Sequence, residues 1–235
     1  VTVYPKNLTG IPTLEKTVRE ALSDTGKNGG SDAVTDGFAH TATASANDTL
    51  EYQILSTLPS ITSEATYLTD YSFVDTLDAG LSYRKNDVKI EFFRNSTCNA
   101  DDRITVWNEG DGKFSVSYND TPGMTISMTA AGLAEINGSY AVYTKSDMIN
   151  SGYSDCTVRI TYSAKLNPDK SLVCGDDGNS NDVVLVRKRT NSSYYDTLVD
   201  DCHVYSFGLD LTKEFSDGQG DFSKVEFLLY NDTDG

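Results

Sequence analysis

The sequence predicts an all-β chain folded as a β-sandwich. Three observations predict it. Short segments alternate apolar and polar residues, the period of a half-buried strand. Clusters of Gly, Asn, Asp and Ser, such as "TGKNGGSD", "NEGDG" and "GDDGNSN", separate those segments. The composition includes 14 Tyr with abundant Thr, Ser and Val, residue types that suit a pleated surface. Many short strands with polar turns need a second layer to cover their apolar faces, and a sandwich supplies it.

Each element follows in order. In "VTVYPKN", Val1 and Val3 alternate with Thr2 and Tyr4 until Pro5, Lys6 and Asn7 stop the strand. "TLEKTVREAL" fits two patterns: Leu14, Val18 and Leu22 have helical spacing, while Leu14, Lys16 and Val18 share one strand face. "DTLEYQI" places Asp48, Leu50, Tyr52 and Ile54 on one face, and "DVKIEFF" places Val88, Ile90 and Phe92 on one face. "KFSVSYN" and "MTISMT" are shorter examples. "MTAAGLAEI" reads as one short helix capped by Thr129. "CTVRITYSAKL" gives Val158, Ile160, Tyr162 and Ala164, and "NDVVLV" gives Asn181, Val183 and Leu185. "YSFGLDLTK" and "KVEFLLY" close the set.

The ends differ from the middle. Residues 1–9 read as the last strand of a preceding domain plus a linker. Residues 10–204 read as one complete β-sandwich, and 205–235 as the first strands of a following, truncated β-domain. Neither end can form a core by itself. No signal-peptide pattern is present. The chain begins inside a strand pattern, so it is expected to be an excised piece of something longer.

Charge and composition exclude several classes. There are 35 acidic and 19 basic residues, a net charge of -16. Such a surface repels nucleic acid and anionic membranes, so neither is an expected partner. No apolar run reaches membrane-spanning length. Cys98, Cys156, Cys174 and Cys202 form no CxxC pair, and only His40 and His203 could join them, so neither a metal nor another cofactor is expected. Oxidised, they allow three pairings; Cys174 and Cys202 flank an expected hairpin, which favours that pair with Cys98–Cys156. Reduced, they would be small buried apolar residues. Asn-x-Ser/Thr occurs seven times, at Asn7, Asn47, Asn95, Asn119, Asn137, Asn191 and Asn231, and is read as chance in turns rich in those residues. The single Trp107 and scattered acids offer little for sugar hydrolysis, and no Ser-His-Asp or Cys-His arrangement is evident, so an enzyme is not expected.

Three polar residues stand on apolar strand faces: Lys16, Asp48 and Asn181. Burying any one of them alone would cost several kcal/mol, about 2–7. Together they suggest a reaction. In an apolar site an amine favours its neutral, nucleophilic form and a carboxyl favours its protonated form. A protonated carboxyl can polarise the Asn carboxamide. The amine attacks, ammonia leaves, and a Lys–Asn isopeptide bond remains. The reaction happens once per molecule, with folding supplying the proximity.

The motifs carry a resemblance. "VTVYPKN" resembles the pilin motif of Gram-positive, sortase-assembled backbone (shaft) pilins, in which a "YPKN" lysine ends the first domain. "PTLEK" is similar to the opening strand of the next pilin domain. "NDTLEYQILSTLP" resembles that family's "GDTxxYxIxxxxP" strand, with Asn47 in place of the Gly. "FVDTLDAGLSY" resembles its "xxDTLxxGLxY" stretch, and "GNSNDVVL" its "GNxNxVxL" strand. The resemblance implies an immunoglobulin-like, collagen-adhesin type sandwich with an intramolecular isopeptide bond. It implies that Lys16 bonds to Asn181, with Asn179 as the rival, and that Asp48 catalyses, with Asp75 as the rival. It makes Lys6 the nucleophile that a pilin-specific sortase joins to the neighbouring subunit, and Lys213 the isopeptide lysine of the next domain. The implied location is the bacterial cell surface, as part of a cell-wall pilus. The competing expectation is an isopeptide-bearing adhesin domain that binds a host surface ligand; "YPKN" favours the pilin.

Overall fold

The computed structural model describes residues 12–21, 37–119, 123–139, 152–168, 171–208, 212–216, 218 and 220–227. Twelve strands form among them: β1 (Leu14–Glu20), β2 (Thr41–Thr43), β3 (Thr49–Thr57), β4 (Leu68–Leu77), β5 (Leu81–Tyr83), β6 (Lys89–Phe93), β7 (Arg103–Asn108), β8 (Phe114–Asn119), β9 (Gly123–Met128), β10 (Thr157–Leu166), β11 (Asn179–Arg189) and β12 (Asp196–Tyr205). One α-helix, α1 (Ala130–Asn137), lies between β9 and β10.

The strands make two sheets. Sheet I runs β1-β3-β10-β6-β7, with β5 also beside β10. Sheet II runs β2-β12-β11-β4-β9-β8. All pairings are antiparallel except β2 with β12. The alternation read from sequence explains the core. Leu50, Tyr52 and Ile54 of β3, and Val158, Ile160, Tyr162 and Ala164 of β10, are buried in the same cluster as Tyr71, Phe73 and Leu77 of β4. Trp107 joins them, with its ring centroid 4.5 Å from that of Phe92.

The ambiguous "TLEKTVREAL" stretch is a strand from Leu14 to Glu20, antiparallel to β3 with Lys16 opposite Ile54 and Val18 opposite Tyr52. Pairing with β3 decides between the two local patterns, because the ladder satisfies its backbone and buries Lys16 and Val18 together. α1 forms as read: the Thr129 hydroxyl accepts from Gly132 N at 3.2 Å, and Gly138 ends the helix at φ 67°. Asn137 is buried, and its carboxamide pairs with both backbone groups of Leu68 at 2.8 and 2.9 Å.

One expectation is corrected. All four cysteines are free, so neither Cys174–Cys202 nor Cys98–Cys156 is bridged. Cys202 is buried in sheet II, where it faces Asn181 across the ladder, whereas Cys174 is exposed in the loop before β11. The strands expected after residue 205 fall partly outside the described residues; among the described ones, β12 ends at Tyr205 and a 3-10 turn, Phe222–Lys224, follows. Residues 1–11, 209–211 and 228–235 lie outside the described ones, and the "YPKN" strand with them.

Candidate functional site

Lys16 projects from β1 in sheet I into the space between the sheets, and neither it nor Asp75 of β4 in sheet II is exposed to solvent. Lys16 Nζ donates to Asp75 Oδ2, closing an ion pair across the sandwich. Nζ also donates to the Tyr162 hydroxyl at 2.7 Å. That hydroxyl donates to Asp75 Oδ2 at 2.7 Å and accepts from Asn181 Nδ2 at 2.8 Å. The other carboxylate oxygen, Asp75 Oδ1, accepts from the Tyr83 hydroxyl at 2.7 Å.

Strand registers assemble this group. In sheet II Asp75 stands opposite Val183 and Asn181 opposite Leu77, which places the two polar side chains diagonally on adjacent strands and on one face. In sheet I Tyr52 stands opposite Tyr162, and their rings stack at 5.4 Å with 13° between planes. Lys16 Nζ lies 5.5 and 5.2 Å from those two ring centroids, within cation–π range. The backbone of β1 is tied too, since Lys16 N donates to Asp200 Oδ2 of β12 at 2.6 Å.

The Asn181 oxygen Oδ1 is buried without a hydrogen-bond partner. Such an orphaned carbonyl is costly, and the Tyr52 hydroxyl, likewise buried without a hydrogen-bond partner, is the polar group that couples to the Asn181 side chain. Burial, followed by the neighbouring Asp75 charge and the Tyr83 hydroxyl, pushes the Tyr162 hydroxyl well above the ordinary tyrosine value. Burial, then Asp75, does the same for Tyr83. Both hydroxyls stay protonated and available as donors.

The residues expected from the motifs separate clearly on this geometry. Lys16 and Asn181 approach the same hydroxyl from opposite sheets. Asp48 is elsewhere: β3 begins at Thr49, and Asp48 closes the preceding turn, its carboxylate accepting from Ser45 N at 2.7 Å. Its N–H donates to Ser45 O at 3.1 Å. The carboxyl beside Lys16 belongs to Asp75, the rival. Asn179 is also elsewhere. Its carboxamide is held by Val173 N at 3.0 Å, Val173 O at 2.9 Å and Val204 O at 3.2 Å. Lys213 is exposed, with Nζ 5.4 Å from the Phe215 ring centroid. Lys6 lies outside the described residues.

Sequence reasoning missed Tyr162 and Tyr83 as members of the site. Tyr162 stood on a recognised apolar face, and a buried tyrosine hydroxyl needs a partner. That requirement was the available signal.

A second concave region, a groove of about 610 Å³, opens on the opposite face of sheet I. Its charges largely neutralise one another. Arg19 pairs with Glu51 at 2.6 Å, while Arg159, Arg103 and Lys89 surround the buried Glu91 at 2.9, 3.0 and 3.4 Å. Burial alone would raise the Glu91 carboxyl, but the arginine and lysine contacts outweigh it and hold the group below the ordinary value. Among the described residues no cluster of His, Cys, Asp or Glu is arranged to hold a metal, and no helix is long and apolar enough to cross a membrane.

No family model matches the sequence, and no curated protein matches it. Solved structures do match. The T6 backbone pilin of serotype M6 Streptococcus pyogenes is 17% identical, with 83% of this chain and 36% of that one covered at a TM-score of 0.50. The major pilin SpaD of Corynebacterium diphtheriae is 16% identical over 81% of this chain and 34% of its own, also at 0.50. The C-terminal domain of the Streptococcus agalactiae AgI/II polypeptide BspA is 14% identical over 83% and 50%, at 0.51. The chain therefore spans about a third of the length of these pilins and half that of the BspA domain. At these identities the likeness concerns the fold: a two-sheet sandwich of the kind found in Gram-positive backbone pilins and in this AgI/II domain.

Proposed function

We propose that the chain is part of a structural subunit of a covalently polymerised cell-surface pilus, internally cross-linked by a Lys16–Asn181 isopeptide bond. One observation carries the reading. A lysine, an aspartate and an asparagine from three strands of two sheets meet in a single buried site around one hydroxyl. Structural asparagines and lysines are rarely buried together without solvent, and a reaction explains why all three are present. The pilin-like fold supports the same reading.

The chemistry is a transamidation. Proton transfer from Lys16 Nζ to Asp75 converts the ion pair into a neutral amine and a neutral acid. Nζ attacks Asn181 Cγ, forming the new C–N bond. As Nζ becomes the amide nitrogen it gives up a second proton. The Cγ–Nδ2 bond breaks, and Nδ2 leaves as ammonia carrying one of the two protons; Asp75 keeps the other and ends as the neutral acid, so the only loss is one ammonia. Sheet packing supplies the orientation, which replaces much of the entropic barrier.

Under this reading Lys6, in "YPKN", is the amine that a pilin-specific sortase joins to the C-terminal sorting-motif Thr of the next subunit. The chain would act outside the cell, on the bacterial surface, with neighbouring subunits as its partners. Lys6→Ala in the full-length protein is expected to leave folding intact and abolish polymers formed by the cognate sortase; normal polymers would refute that role. Intact mass of the purified chain tests the internal bond. The expected value is one ammonia below the mass of the sequence, and an unreduced mass would refute the bond.

The second reading is an isopeptide-bearing adhesin domain that binds a host ligand. The internal bond suits both readings. Polymerisation through Lys6 separates them.

A further inference from the structure

Resting on that reading of the site, we infer that Tyr162 is a catalytic residue of the cross-linking reaction, passing the proton from Asp75 to the departing nitrogen of Asn181. Its hydroxyl touches both reacting nitrogens, at 2.7 Å from Lys16 Nζ and 2.8 Å from Asn181 Nδ2, and lies 2.7 Å from Asp75 Oδ2. Those three contacts use its single donor and both of its acceptor sites.

The reaction poses a problem that Asp75 alone does not solve. One of the two protons that leave Nζ must finish on Nδ2, because an amide anion is too poor a leaving group to depart unprotonated. Nδ2 is bonded to the Tyr162 hydroxyl, and no hydrogen bond joins it to Asp75. A relay balances the transfer. Asp75 takes the first proton from Lys16 Nζ. As the Cγ–Nδ2 bond lengthens, the Tyr162 O–H gives its proton to Nδ2 and regains one from Asp75, which then takes up the second proton that Nζ sheds on becoming an amide nitrogen. One C–N bond forms, one breaks, and ammonia leaves. Tyr162 returns to its starting state and Asp75 ends as the neutral acid, so no further reactant is needed.

Position supports the assignment. Tyr162 is buried on β10, where it stacks on Tyr52 and stands opposite it in register. The ring is thereby fixed independently of its hydroxyl. The Tyr83 hydroxyl reaches only Asp75 Oδ1, the oxygen away from Lys16, so it positions the carboxyl without touching a reacting nitrogen.

The test follows the full 235-residue chain after cell-free synthesis, with loss of ammonia read by intact mass over time. Tyr162→Phe is expected to slow the loss about a hundredfold, the lower end for removing a positioned proton donor. Tyr71→Phe, a buried tyrosine of the same core whose hydroxyl meets Ser56 and not the site, is expected to proceed at the wild-type rate. If Tyr162→Phe loses ammonia as fast as wild type, the relay is overturned while the bond itself stands. Should wild type lose none, both the bond and the relay fall. Replacing Tyr162 with a ring-fluorinated tyrosine keeps shape and packing while making the phenol more acidic, and so covers the case in which the phenylalanine chain does not fold. The relay predicts a changed rate and an altered pH profile for that chain. An unchanged rate would overturn it.

Discussion

Lys16 Nζ and Asn181 Nδ2 donate to the same Tyr162 hydroxyl from opposite sheets, at 2.7 and 2.8 Å. The shared acceptor brings an amine and a carboxamide together that the sequence separates by most of the chain. The consequences can be checked one residue at a time.

Asp75→Ala removes the carboxyl beside Lys16 and is expected to block the cross-link, leaving the variant at the mass of its own sequence with no ammonia lost. It also leaves a lysine amine buried without its partner, which costs about 3–5 kcal/mol. The melting temperature should fall accordingly. Asp48→Ala should leave the cross-link unchanged, because that carboxylate only closes a turn. Cross-linked Asp75→Ala protein would show that Asp75 is not the catalyst.

Asn181→Ala is expected to abolish ammonia loss, whereas Asn179→Ala should retain it. The second change has a different cost. It strips partners from the backbone of Val173 and from Val204 O, for a loss of about 1–3 kcal/mol. Urea midpoints and intact masses together distinguish the two roles. A cross-link lost in Asn179→Ala and kept in Asn181→Ala would reverse the assignment.

Glu91 gives stability a pH dependence. Its carboxyl is held below the ordinary value in the folded state, so folding favours the charged form. Its contribution is fully present above the unfolded carboxylate value of about 4.3 and is lost as pH falls through the lower folded value. Glu91→Gln should therefore be less stable than wild type at neutral pH, by about 2 kcal/mol. The gap should close in acid below about pH 4. A gap constant from neutral pH into strong acid would contradict the ion cluster.

The cysteines should titrate as four thiols in denaturant without added reductant. In the native protein Cys174 is expected to be alkylated first, since it is exposed. Cys202 should resist longest: it is 1% exposed, and burial pushes its thiol up to about 12. Fewer than four thiols in denaturant would restore a disulfide.

The strands with strict alternation, β3, β6, β10 and β11, are readable from the chain, and with them Lys16 and Asn181 as inward-facing polar residues. β7 and β12 are not. β12 carries Asp196, Asp200 and Asp201, which look like a turn until Asp200 is seen to take the backbone N–H of Lys16 at the open side of the sandwich. Asp48 misleads because alternation continues past the end of a strand. One residue before Thr49 the side chain no longer follows the pleat, and a local turn bond claims it. The resemblance offers Asp75 as a rival, but only the pairing of β4 with β11 brings it beside Asn181. Tyr162 is hidden by its own suitability for a core.

The register of β1 against β3 has a last consequence. Lys16 faces the second sheet only because it stands opposite Ile54; a slip of one residue would turn its amine to the other side. Under the proposed chemistry, a misaligned molecule could not react and would keep its ammonia. The cross-link is then an irreversible record that each molecule once reached its correct alignment. In a population of chains, mass alone would sort those that had folded from those that never did, even after all had been denatured.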